Sequence, residues 1–82
     1  MMENMPELAL EWHRAGRGAV LASVVETWGS APRPVGSQLV VAGDGEMQGS
    51  VSGGCVEGAV VLEAQDMLAT HAAAPKLLEF GV

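Results

Sequence analysis

The apolar positions change period along this chain, and each change marks an element. In PELALEWHRAG the residues Leu8, Trp12 and Ala15 recur at helical spacing, Pro6 suits a first helical turn, and Gly16 stops the run. This predicts a short amphipathic helix. The Val-rich stretch AVLASVVETW, residues 19–28, is flanked by glycine and reads as a strand buried on at least one face. GSAPRPVGS cannot continue it, because Pro32 and Pro34 lack amide hydrogens and bias the residues before them toward extended backbone. Gly29 and Gly36 make hinges at its two ends. SQLVVA, GDG and EMQGSV then form a predicted hairpin, with Gly43-Asp44-Gly45 able to supply positive φ in a tight turn. Its second strand runs through SGGC into CVEGAVVLEAQDMLATH, where Val56, Val60, Ala64, Met67 and Leu68 share one helical arc, and Pro75 lies beyond its end. KLLEFGV reads as a last short strand. The order α-β-β-β-α-β predicts one small α/β domain over residues 1–82, a mixed sheet with two helices covering one or both faces.

Composition limits what such a domain can contact. A chain of 82 residues buries only ~60% of its unfolded surface, so the core is thin. Apolar residues are 49% of the chain and aromatics 4%, which leaves Val, Leu, Ala and Met to fill that core around Trp12, Trp28 and Phe80. The net charge of −6, with no Lys/Arg cluster, argues against nucleic acid and anionic membrane surfaces as partners. No apolar run approaches the ~20 residues of a membrane-spanning helix. A lone cysteine forms no internal disulfide, and MMENMPELALEWH has neither the basic segment nor the apolar run of a signal peptide, so the expected compartment is the cytoplasm.

The chemistry concentrates at SGGC. A strand that feeds a helix through Ser52-Gly53-Gly54 leaves the first helical amides unpaired, and glycine lets a ligand approach the backbone closely. That arrangement binds anions. Cys55, placed in the first helical turn, would have its thiolate favoured by the helix dipole. A tight turn beside a small buried thiol explains the same residues equally well. Glu57 falls inside the apolar arc rather than on the solvent face. With Gly54 as N-cap it would stand at the third helical position and answer the backbone amides there; alternatively it accepts a proton or a ligand hydrogen bond.

Other chemistries fit poorly. His71 lies on the same predicted helix, roughly 24 Å from Cys55 at 1.5 Å per residue, and His13 reaches the loop only if the first helix packs there. One cysteine and two distant histidines have no zinc-ligand spacing, and SGGC has no Walker lysine. Arg33, held between two prolines, is either a solvated loop residue or a stiffened guanidinium suited to phosphate or carboxylate. The second role requires the proline loop and the SGGC loop to converge.

The stretches ETWGSAPRPVGSQLVV and GSVSGGCVEGAVVLEA, in this order and joined by a hairpin, closely resemble the N-terminal domain of the XdhC/CoxI family, accessory proteins of xanthine dehydrogenase and related molybdenum hydroxylases. The resemblance spans roughly residues 8–82. It implies a protein without turnover of its own that binds the molybdenum cofactor (molybdopterin) and helps deliver it, sulfurated, to an apo-hydroxylase. Ser52, Gly53, Gly54, Cys55, Glu57 and Arg33 are the residues expected at the cofactor, with Cys55 a soft ligand for molybdenum or sulfur. Two alternatives are a small sulfur carrier that takes a persulfide onto Cys55 from a cysteine desulfurase, and a degenerate paralogue that keeps only a protein-binding surface. Family members continue beyond the position of Val82 with a second Cys-Gly-Gly-type motif and a Rossmann-like C-terminal domain, both absent here. The chain is then either a short paralogue that completes the site by self-association or with a separately encoded partner, or a fragment; of these the expectation is a homo-oligomer, through an exposed apolar edge at KLLEFGV.

Overall fold

A computed structural model describes residues 4–25, 34–51, 56–72 and 74–79. The first helix, α1, spans Met5–Arg14 and begins where the Asn4 side chain accepts a hydrogen bond from the Glu7 amide at 3.1 Å. Met5, Leu8, Ala9 and Trp12 recur at helical spacing, and this stripe faces the sheet. Three strands follow, β1 (Val20–Ser23), β2 (Gln38–Val41) and β3 (Met47–Gly49), and then α2 (Glu57–Ala69).

The sheet has the order β1-β2-β3 and both pairings are antiparallel, with Ser23 opposite Gln38 and Leu39 opposite Gly49. The central strand explains the architecture. Its run Leu39-Val40-Val41-Ala42 is apolar at every position and fully buried, so both of its faces need a cover. Val40 and Ala42 pack against Met5 and Trp12 of α1; Leu39 and Val41 pack against Val60 and Ala64 of α2. The helices therefore lie on opposite faces.

The expected small α/β domain is present, and three details differ. The sheet is antiparallel rather than mixed. β1 ends at Ser23, well short of the predicted strand, whose last residues 26–28 lie outside the described residues. Within KLLEFGV, residues 76–79 form no strand, and residues 80–82 lie outside the described residues. The cause is visible on either side of Leu77: Leu78 packs on the Leu39–Val60 cluster, and Lys76 donates to Glu63 of α2 at 2.6 Å. These contacts tie the segment to the helix instead of a strand edge.

The hairpin turn is as expected. Gly45 has φ +92°, and the Ala42 amide donates to the Glu46 carbonyl at 2.8 Å. A second glycine is required where β3 ends. Gly49 has φ +94°, and a Cβ there would collide with the Gln38 carbonyl oxygen and crowd the Met5 sulfur. Among the described residues, no helix is long and apolar enough to cross a membrane.

Candidate functional site

Ser52, Gly53, Gly54, Cys55 and Arg33 lie outside the described residues, whereas Glu57 and the flanks of both motif loops are described. Those flanks have defined places on the sheet. On the proline side, the Val24 amide donates to the Ser37 carbonyl at 2.9 Å and the Gly36 amide donates to the Val24 carbonyl at 2.8 Å. On the glycine side, the Ser50 amide donates to the Gln38 carbonyl at 3.0 Å. Ser37 and Gln38 are neighbours at the start of β2. The chain thus enters and leaves both stretches at one end of the sheet, opposite the Gly43–Gly45 turn.

The start of α2 is at the same end. Its N-cap is Val56, whose side chain accepts no hydrogen bond, and its first helical residue is Glu57. This corrects one expectation: Glu57 stands at the first helical position rather than the third, while the expected place of Cys55 in the first turn lies outside the described residues. Four residues, 52–55, separate Val51 from Val56 and lie outside the described residues.

Glu57 is buried, with 6% of its surface exposed, as its place in the apolar arc predicts. A buried carboxylate costs several kcal/mol unless it is hydrogen-bonded. Here the Ser50 hydroxyl donates to its Oε2 at 2.9 Å and the Val51 amide donates to the same oxygen at 3.2 Å. Its position in the first turn of α2 adds a favourable helix dipole. The carboxylate therefore reaches from the helix to the end of β3, a partner that spacing along the helix does not reveal. Ser50 belongs to this arrangement and was not among the predicted site residues; its only sequence signal is its place just ahead of SGGC.

The histidines stand elsewhere. His13 is exposed in the last turn of α1, next to the chain reversal where the Gly43 amide donates to the Arg17 carbonyl at 3.0 Å. This is the turn end of the sheet, away from the motif loops. His71 follows the C-terminus of α2. Neither stands at the described flanks of the loop, and the described residues hold no cluster of His, Cys, Asp or Glu that could bind a metal ion. A groove of about 270 Å³ runs between β1 and the C-terminal half of α2, but Val20, Leu21, Met67, Leu68 and Pro75 make it apolar. It offers no side chain for a phosphate or a pterin edge.

The family model described as "XdhC and CoxI family" matches residues 12–81. The chain is also similar to the molybdenum cofactor insertion chaperone PaoD of Escherichia coli (strain K12), with 52% identity over 60 residues. That alignment covers 73% of this chain and 19% of PaoD, so the chain spans about a fifth of that relative's length.

Proposed function

Because the chain belongs to the XdhC and CoxI family, we propose that it binds the molybdenum cofactor as cargo and assists its insertion into a molybdenum hydroxylase. The observation that supports this reading is that the described flanks of the two motif loops and the start of α2 lie at one end of the sheet. The Ser52–Cys55 stretch would offer backbone amides to the phosphate or pterin, Arg33 a guanidinium to the phosphate, and Cys55 a soft ligand to molybdenum. PaoD is named for cofactor insertion, and the 52% identity over 60 residues supports the same cargo. The finer parts of the reading are an apo-hydroxylase of the xanthine dehydrogenase type as recipient, sulfuration with sulfur from a cysteine desulfurase, work in the cytoplasm, and a site completed by a second copy.

The test is retention of cofactor released from a molybdoenzyme, measured anaerobically by gel filtration with molybdenum analysis. Wild type should co-elute with molybdenum and pterin. Cys55→Ser keeps the side chain small but removes the soft ligand, so it should fold normally and bind at least tenfold more weakly, a loss of about 1.4 kcal/mol. Gly54→Val should abolish retention while destabilising the fold less than the core truncation Val60→Ala. Absence of retention by wild type would refute the cargo, and equal retention by all variants would remove the loop from the site.

A further inference from the structure

We infer that Glu57 is a positioning residue for the Ser52–Cys55 stretch, its buried carboxylate fixing the distance between the exit of β3 and the entry of α2. The inference rests on the reading that this stretch meets the cargo. Ser50 and Val51 are the last residues before the stretch, and Glu57 stands two places after it. One oxygen, Oε2, takes hydrogen bonds from both of the preceding residues. The two bodies so joined are each held independently. The β3 exit is anchored by the Ser50 amide on the Gln38 carbonyl and by the close approach of Gly49 to that same carbonyl group. The start of α2 is anchored by Val60 and Ala64 against Leu39 and Val41.

A carboxylate in a first helical turn meets the dipole just as well from the solvent side. Turning it inward has a desolvation cost, and what it gains here is a bridge across the loop. A short connection whose ends are set at one separation has fewer conformations to lose when a ligand orders it, which is the means by which preorganisation raises affinity. Glu57 thus acts on the cargo through the loop rather than by touching it.

The variants Ser50→Ala, Ser50→Thr and Glu57→Gln test this with two readouts: amide hydrogen exchange at Val51, and the iodoacetamide alkylation rate of Cys55 relative to the denatured chain. Ser50→Ala and Glu57→Gln are expected to unfold cooperatively, to lose at least tenfold in Val51 protection and to shift the alkylation rate at least threefold. Ser50→Thr, which keeps the hydroxyl, should restore wild-type values. Folded variants with unchanged exchange and alkylation would overturn the role, and if Glu57→Gln does not fold, Ser50→Ala against Ser50→Thr decides. Cofactor retention by wild type is scored separately. Wild type that binds no cofactor, beside variants that behave as expected, refutes the cargo and leaves the positioning role standing.

Discussion

His71 is the one residue other than glycine with positive φ among the described residues, at +53°. It sits just past the C-cap Thr70, and two hydrogen bonds close the helix end around it: His71 amide to the Leu68 carbonyl at 3.3 Å and Ala72 amide to the Met67 carbonyl at 2.9 Å. This is the paired closure that usually carries glycine. Left-handed backbone costs a side-chain-bearing residue roughly 1–2 kcal/mol, and glycine gives back about 0.4–1 kcal/mol through the greater freedom of its unfolded chain. His71→Gly should therefore stabilise by about 0.5–1 kcal/mol, while His71→Ala should bring no gain. Urea midpoints measured at constant slope check both, and equal midpoints for Gly and Ala would show that the backbone there is unstrained. Nothing in ATHAAAP signals this closure, because helical periodicity reports which face is buried and not how the last turn is tied off. Glu57 teaches the same lesson. Its burial was legible from its angle on the helical wheel, but its partners lie across a loop.

At the scale of elements, the hairpin turn shows both what is legible and what is not. Gly43-Asp44-Gly45 announces a tight turn locally. That Arg17, far back in the chain, clamps it is a tertiary fact: the guanidinium donates to Asp44 at 3.1 Å and to Glu46 at 2.5 Å, and lies 4.5 Å from the centroid of the Trp12 ring. The helix α1 is thereby tied to the β2–β3 turn. Asp44 is held below the usual carboxylate range, first by the Glu46 amide that donates to it and then by Arg17. With its folded pKa lowered, the unfolded chain takes up the proton first as pH falls, so the stabilisation is present at neutral pH and is lost as pH drops below the usual aspartate value of about 4. The melting temperature of Asp44→Asn should lie below that of wild type at pH 7, and the gap should close toward pH 2. A constant gap would show that the effect does not depend on the ionisation of Asp44. The strands were legible to differing degrees for similar reasons. β2 declares itself by its unbroken apolar run, whereas KLLEFGV has strand composition and its described residues 76–79 are drawn aside by Lys76 and Leu78.

For the molecule as a whole, the sandwich follows from β2: a strand buried on both faces demands two covers, and the chain supplies a helix on either side of the hairpin. What composition leaves unspecified is the fate of the sheet's edges. Among the described residues β1 is an edge, and its alternation is plain in the structure, with Val20, Ala22 and Val24 half-buried and Leu21, Ser23 and Val25 exposed. Edge strands are usually guarded by charge or proline, yet Val20–Val25 carries neither. Leu21 is 39% exposed and Val25 66%. In a chain of net charge −6, copies repel one another at most orientations, and Val20–Val25 adds no charge of its own to that repulsion. The self-association proposed above is thus best served by β1 meeting β1 across a twofold axis, which would join two sheets by backbone hydrogen bonds. Sedimentation equilibrium at micromolar concentration should give a dimer. Leu21→Lys should shift it to monomer with the helical circular dichroism unchanged, whereas Leu62→Lys, on the exposed face of α2, should leave the dimer intact. A wild-type monomer would remove the second copy from the site, and a dimer indifferent to Leu21→Lys would move the contact to another surface.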